Sequence, residues 1–557
     1  MEDVNIVICG AAGQGIKTVE KLLTRIFAKS GYFVFSTKEY MSRIRGGSNA
    51  TDLRISGRPP RCPVERVDLL ITLDEAALAH MQGRISDKTV VIMDGEAGRQ
   101  GVHAIPLKQL AKEAGRAVYA NTVAAGIVAG ALGLGKQEGQ DLVGTFFSKL
   151  GDEDKQGNAK AFATGWEKGE ALHTGLAVQP GQAAGQLLMS GGTAVGLGAL
   201  AGNVRFICSY PMSPSTAVLI FLAQHAREFG VVVEQAEDEI SAVNMGLGAW
   251  FTGARAMVTT SGGGLALMTE GISLAGMTET PLVLHVAQRP GPATGLPTRT
   301  AQEDLDLVLH AGHGEFPRII LAPGNLEQAF LLTARAFWLA EKYQVPVFIL
   351  TDQYLMDSFY QVPELRIGDV PLERFMIKPG ENYKRYALGK GPLSPMGIPG
   401  TGEGLVCLDS DEHDTEGHIS EDLDVRVQMV DKRRGKLKEI ARDVLEPEVS
   451  GQGRHVVVCW GSTRPVCLEA VKRTGRDDVA VCHVSQVYPI SRRLGELLEQ
   501  AETVITVENN ASGQFGRLMA ELTGRGPDHE ILRYDGLPFK ADTLAGDIAE
   551  ILQRSGA

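Results

Sequence analysis

Four acids fall within six residues of the stretch "VVVEQAEDE": Glu234, Glu237, Asp238 and Glu239. They follow a short β-branched run and precede "ISAVNMGLGAWFTGA", a small, apolar helical pattern. That order places carboxylates where a strand ends and a helix begins. Asp238 is suited to cap the helix, and Glu239 to favour its positive N-terminal end. Neither task needs Glu237. Glu237 is therefore the candidate for chemistry, at the carboxyl end of a parallel strand where open α/β sheets keep their ligand crevices. Close-packed carboxyls bind their proton more tightly and share it strongly with a nitrogen partner. The plainer alternative is an acid-rich helix start with no ligand.

A second feature follows at "TSGGG", Thr260 to Gly264, a strand-to-helix turn with exposed backbone. A third lies near the N-terminus. "GAAGQG", with Gly10, Gly13 and Gly15, stands between a strand and an amphipathic helix. Backbone N–H groups at such a helix start can receive a phosphate, or the turn can simply pack helix on sheet. A dinucleotide site would also want an acid at the end of the second strand. That strand ends "FVFSTKEY", with Ser36, Thr37 and Lys38 in the place of the acid, which disfavours a nicotinamide cofactor. In "SRIRGGSN", Arg43 and Arg45 precede a glycine pair, and either hold a phosphorylated ligand or form a solvated turn.

The elements that must position these residues form an α/β chain. Residues 1–180 alternate short apolar runs with helical patterns, which predicts a parallel sheet covered on both faces. A linker near 176–186 leads to a second α/β unit over 187–360. Regularity falls over 361–452, a Pro/Gly-rich and acidic stretch that ends in a charged helix. A third, compact α/β unit spans 453–557. The fold class is thus α/β, with three α/β domains and mostly parallel sheets.

Composition narrows the function. Of 557 residues, 44% are hydrophobic and 22% charged, as in ordinary globular chains. The net charge is −12, and the one basic block is "DKRRGK", so nucleic-acid binding is disfavoured. The apolar start "VNIVICG" lacks a preceding cationic region and reads as a strand rather than a signal peptide. No apolar run approaches about 18 uncharged residues, so no membrane helix is expected and a cytoplasmic location follows. The seven cysteines are scattered without C-x-x-C, which argues against a disulfide framework or an iron–sulfur site in this chain. His413 and His418 in "EHDTEGHISED" are poor metal-ligand evidence, and no metal site is expected. "ENN" at Glu508 to Asn510 reads as a turn at a strand end.

The acid, the Gly/Ala helix and the T-S-G-x-G turn resemble the pyrimidine-binding domain of thiamine-diphosphate enzymes. The motifs "YPMSPST", "AEDEISAVNMGLGA", "TSGGGLALMTEGISLAGMTETPLV", "QRPGPATGLPTRTAQEDL" and "DEHDTEGHISED" occur in this order. Together they closely resemble the alpha subunit of 2-oxoacid:ferredoxin oxidoreductases, especially the 2-oxoglutarate type. The first domain looks like that family's gamma subunit fused in front. "CWGSTRPVCLEAV" and "VENNASGQFGRL" look like its transketolase-C-terminal-type domain.

The resemblance implies oxidative decarboxylation of a 2-oxoacid, with electrons passing to ferredoxin and coenzyme A accepting the acyl group. It implies a thiamine diphosphate site shared with a beta subunit that carries the diphosphate half, Mg2+ and a 4Fe–4S cluster, in a dimer of heterodimers. Alone, the chain is expected to be inactive. By the match Glu237 activates the aminopyrimidine, and Thr260, Ser261, Gly262 and Gly263 border the cofactor. Arg289 reaches the substrate carboxylate, with Tyr210 and Ser213 beside it, and Arg299 is the candidate for a distal carboxylate such as that of 2-oxoglutarate. Gly10, Gly13, Gly15, Arg43 and Arg45 would help hold coenzyme A. The sequence departs from the family pattern at Ser213, Gly263 and Ala293, where threonine, proline and serine are usual. Pyruvate, branched-chain or aryl 2-oxoacids, or a non-catalytic assembly role, are the alternatives.

Overall fold

The computed structural model of the chain describes residues 1–41, 47–95 and 101–554. They fall into two compact units. One comprises residues 1–189, 357–364 and 540–543, and the other residues 190–356, 365–539 and 544–557.

The first unit is an eight-stranded sheet. In spatial order its strands are Val102–Ile105, Val90–Asp94, Leu69–Thr72, Asp3–Ala11, Ser48–Ser56, Phe33–Glu39, Phe359–Val362 and Leu187–Ser190. Four neighbours, from Val102–Ile105 to Asp3–Ala11, are parallel. Ser48–Ser56 runs antiparallel to both Asp3–Ala11 and Phe33–Glu39, so this sheet is mixed where a parallel one was expected. The polar letters of "SNATDLRIS" hid the strand. Arg54 is buried in it and donates from Nε to Asp3 Oδ2 at 2.8 Å, while Asp52 Oδ1 accepts from Arg84 Nη2 at 2.6 Å. Ion-paired charges thus occupy positions that usually carry hydrophobes. Below the sheet, helix Ala120–Ala131 packs on helix Asp152–Glu170. The approach is close enough that a Cβ at Gly165 would stand 2.1 Å from Val123 O. This explains why the Gly/Ala-rich helix is buried along almost its whole length.

The second unit holds two main sheets, besides the short parallel pair Met376–Ile377 and Met396–Gly397. The larger runs Gln486–Tyr488, Ile319–Leu321, Pro346–Asp352, Leu282–Gln288, Ala256–Thr260, Phe206–Ser209, Val232–Gln235, parallel except at Gln486–Tyr488. Its central strands are buried on both faces, as their continuous apolar runs require. The smaller sheet runs Glu448–Ser450, Val479–Val484, His455–Trp460, Thr503–Glu508, His529–Leu532. Only Glu448–Ser450 is antiparallel to its neighbour.

The charged helix Leu423–Ile440 is not simply a solvated connector. Lys432, Arg433 and Lys436 are buried along it. Lys432 Nζ donates to both oxygens of the buried Glu279, at 2.6 and 2.7 Å, and Lys436 Nζ lies 2.5 Å from Glu279 Oε2. The fully buried Arg385 donates from Nη2 to the Glu279 carbonyl at 2.7 Å. Burial pushes the Lys436 ammonium down to about 7 against the pull of Glu279. The flanking lysines in turn hold the Glu279 carboxyl far below its usual range, although burial opposes this. Removing one member of a buried pair leaves an uncompensated charge. Glu279→Gln is therefore expected to destabilise the second unit by about 3–5 kcal/mol, read as a lower urea midpoint at unchanged slope.

Candidate functional site

The parallel strands ending at residues 209, 235, 260 and 288 run side by side, so the turns that follow them share one edge of the sheet. At the turn after Val232–Gln235, Asp238 takes extended backbone and its Oδ1 accepts from Ser241 N at 2.7 Å. It caps helix Glu239–Phe251 as its residue type predicts. Glu237, before the cap, is exposed. Glu239 is 4% exposed. It shares the buried helix face with Ala242, Val243 and Gly246, which the 3–4 residue spacing places in line with it. A Cβ at Gly264 would stand 3.0 Å from Glu239 Oε1 and 2.1 Å from Thr260 Oγ1. Among the described residues no protein donor or cation reaches the Glu239 carboxylate. The enclosed acid beside the glycine turn is thus Glu239, whereas the sequence reading placed Glu237 there. The reason is helical phase: the cap at Asp238 fixes which acid faces inward.

The other side of the turn converges on one carbonyl. Ser213 O accepts from Ser261 Oγ at 2.9 Å and from Arg289 Nη1 at 2.8 Å. The turn after Phe206–Ser209, the start of the glycine turn and the loop after Leu282–Gln288 are therefore tied together. Thr260, Ser261 and Gly262 are buried and Gly263 is exposed, with Ala293 O 3.7 Å from where its Cβ would lie. Gly262 meets a second acid, for its Cβ would stand 2.2 Å from Asp304 Oδ1. Asp304 Oδ2 is buried without a hydrogen-bond partner. Burial pushes the Asp304 carboxyl up to about 7, with Glu303 adding to the rise and Arg289 opposing it. The Arg289 guanidinium is itself pushed down by burial and held up by Asp304.

The segment bearing Asp304 is anchored by the C-terminal sheet. Gln302 N donates to Asn509 O at 2.7 Å, Gln302 Nε2 to Trp460 O at 2.9 Å, and Asn509 N to Gln302 Oε1 at 2.9 Å. Gln514 Nε2 donates to Glu303 O at 2.8 Å. Glu508 is buried and accepts from Phe515 N and Gly516 N, both at 2.9 Å, and from Asn510 Nδ2 at 2.9 Å. The "ENN" stretch is thus a built joint. Tyr210 is 41% exposed at the strand end. Arg299 lies in the same loop as Arg289, its stem so near Gly536 that a Cβ there would come within 3.1 Å.

In the first unit, Gly13 (φ 91°) and Gly15 (φ 86°) hold the turn before helix Ile16–Lys29 in the left-handed region that side chains resist. A cavity of about 370 Å³ opens beside them, lined in part by Gly13, Gly15, Lys17, Lys38, Tyr40 and Asn49. Gly10 is the last residue but one of strand Asp3–Ala11, beside the Gln14 side chain. Arg43 and Arg45 lie outside the described residues. His413 is buried on the Tyr386 ring, centroids 3.9 Å apart, while His418 is exposed. No helix among the described residues is long and apolar enough to cross a membrane.

Two site residues, Glu239 and Asp304, escaped the reading of the sequence. Each follows another acid and sits at or beside a helix cap, where a structural explanation suffices from spacing alone. The signal available for Glu239 was its i, i+3, i+4 alignment with small residues.

Comparison with known proteins is consistent along the whole chain. Residues 197–432 match the family described as pyruvate flavodoxin/ferredoxin oxidoreductase, thiamine diphosphate-binding, and residues 5–168 match pyruvate ferredoxin/flavodoxin oxidoreductase. A 2-oxoacid:ferredoxin oxidoreductase subunit alpha from a Sulfolobus species is 30% identical, covering 98% of this chain and 96% of its own. The 2-oxoglutarate oxidoreductase subunit KorA of Mycobacterium tuberculosis is 28% identical over 99% of this chain and 93% of its own. The structure of a 2-oxoglutarate:ferredoxin oxidoreductase from Magnetococcus marinus, with 2-oxoglutarate, coenzyme A and succinyl-CoA bound, superposes with a TM-score of 0.93 at 30% identity, covering 99% of both chains. With relatives at 30% identity spanning nearly the whole of it, the chain belongs to the 2-oxoacid:ferredoxin oxidoreductase family.

Proposed function

We propose that the chain is the fused gamma/alpha subunit of a thiamine-diphosphate-dependent oxidoreductase that decarboxylates 2-oxoglutarate to its acyl-coenzyme A. The observation that carries this reading is the enclosed, unpartnered carboxylate of Glu239 against a turn stripped of side chains. An acid so little exposed and without a protein partner calls for a donor from outside the chain, and Gly264, where a Cβ would overlap Thr260 Oγ1, lets the turn close on it. These residues fit the aminopyrimidine of thiamine diphosphate, which when bound supplies a nucleophilic carbon for a 2-oxo carbonyl. Glu239 would meet the ring nitrogen in a charge-assisted hydrogen bond.

Arg289 already donates one guanidinium N–H to Ser213 O. Its remaining donors suit a substrate carboxylate, and the fixed fork orients the 2-oxo group. Ser213 and Tyr210 line the approach, and we assign Arg299 to the distal carboxylate. We assign coenzyme A's phosphates to the cavity at Gly13 and Gly15, where Lys17 and Lys38 add positive charge to a helix N-terminus. Diphosphate, Mg2+ and the 4Fe–4S cluster belong, in this reading, to a beta subunit that passes electrons to ferredoxin. The edge strand Val232–Gln235 and the exposed Ile220, Ile240 and Met245 near it offer the apolar surface a partner subunit would cover.

Three measurements test this. The chain co-expressed with a beta-type partner is assayed for viologen reduction with coenzyme A and a panel of 2-oxoacids. Turnover of 2-oxoglutarate is expected; none with any 2-oxoacid, at full cofactor loading, would refute the reading. Glu239→Gln should keep assembly and lower kcat/KM by about 100-fold or more, while Glu237→Gln stays within about threefold. The reverse ranking returns the role to Glu237. Arg289→Ala should raise the 2-oxoacid KM by about 10–100-fold, corresponding to loss of a charge-assisted hydrogen bond. An unchanged KM would remove Arg289 from the site.

A further inference from the structure

Asp304 stands at the N-cap position of helix Leu305–His310, where an aspartate ordinarily accepts a hydrogen bond from the first turn. It makes no such bond. Its carboxyl turns instead onto Gly262, and a Cβ on that glycine would overlap both oxygens, at 2.2 and 2.4 Å. Among the described residues no protein donor meets it, and Oδ2 is buried. The position is not slack. Asp304 N donates to Gln288 Oε1 at 3.0 Å, Gln288 Nε2 donates to Thr351 O at 3.1 Å, and the flanking residues are pinned by Asn509 and Gln514. A rigid loop therefore holds an unpartnered carboxyl against the glycine turn, forgoing a cap worth about 1 kcal/mol. Arg289 is the cation that acts on it, yet no ion pair closes between them.

We propose that Asp304 is a positioning residue that sets how strongly Arg289 holds the substrate carboxylate, by competing for the guanidinium when it ionises. As the neutral acid it leaves the positive charge of Arg289 to the ligand. As the carboxylate it draws on that charge and repels the ligand's own. The other charged groups around it are Glu303, Asp306 and Glu239. Glu303, just before it, shifts its ionisation upward. Asp306, on the following helix, is paired with Arg517. Glu239 lies across the glycine turn and keeps its own contact at Gly264. The neutral-to-charged change falls near pH 7, given the value of about 7 that burial imposes. Below that pH Asp304 is protonated and binding is strong; above it binding weakens. A 2-oxoacid stays ionised throughout this range, so the change belongs to the protein.

The inference rests on the assignment of Arg289 to the substrate carboxylate. Its test uses the complex with the beta-type partner, measuring KM for 2-oxoglutarate and kcat separately between about pH 6 and about pH 9. The wild-type KM is expected to rise by about threefold or more across neutrality. In Asp304→Asn, which keeps shape and removes the charge, KM should stay at its low-pH value throughout. A flat wild-type profile would overturn the proposal even if the variant failed to fold. So would a variant that retains the wild-type rise. Absence of turnover by the wild type with every 2-oxoacid would overturn the assigned activity, and this inference with it.

Discussion

Two glycines without side chains allow two carboxyls to close on one turn. Gly264 admits Glu239 and Gly262 admits Asp304, each at a distance that any Cβ would block. The turn is therefore walled by acids on both sides. Gly263, between them, is exposed. The chemistry proposed for the chain depends on this steric fact more than on any single hydrogen bond. A turn bearing side chains at these two positions would displace at least one of the acids.

The turn is held in place from two directions. The parallel strands ending at residues 209, 235, 260 and 288 bring four turns to one edge, a consequence of the strand order. The C-terminal sheet then fixes the loop that carries Asp304 through Gln302, Asn509 and Gln514. That joint is made of amides and backbone groups, which satisfy one another in a buried setting without introducing charge. Ser213 O, taking donors from Ser261 and Arg289, locks the substrate side in the same way. Glu508, buried, stabilises the helix start beside the joint by accepting two of its backbone N–H groups.

Elsewhere the molecule uses buried charge structurally. Glu279 serves Lys432 and Lys436 at once, and Arg54 and Asp52 sit inside a strand because Asp3 and Arg84 answer them. Such pairs are costly to desolvate and add little net stability, but breaking one is expensive. They also defeat pattern reading. A strand with Asp and Arg in its interior resembles a loop, and a helix with basic residues along it resembles a solvated connector.

The strands of the second unit were legible because burial on both faces leaves continuous apolar runs, as in "VLHVAQ" and "VFILTD". The glycine turn, the cap at Asp238 and the family were legible from ordered motifs. The antiparallel strand Ser48–Ser56 and the inward face of Leu423–Ile440 were not, since their charges find partners 21 to 153 residues away. The same limit decided the site. Sequence alone determined that acids, a small-residue helix and an open turn would meet at a strand end. Which acid faces inward was decided only by helical phase and packing, and that Asp304 joins Glu239 was decided by a loop anchored through residues some two hundred positions distant. Side-chain direction follows from three-dimensional neighbours, and local spacing does not contain them.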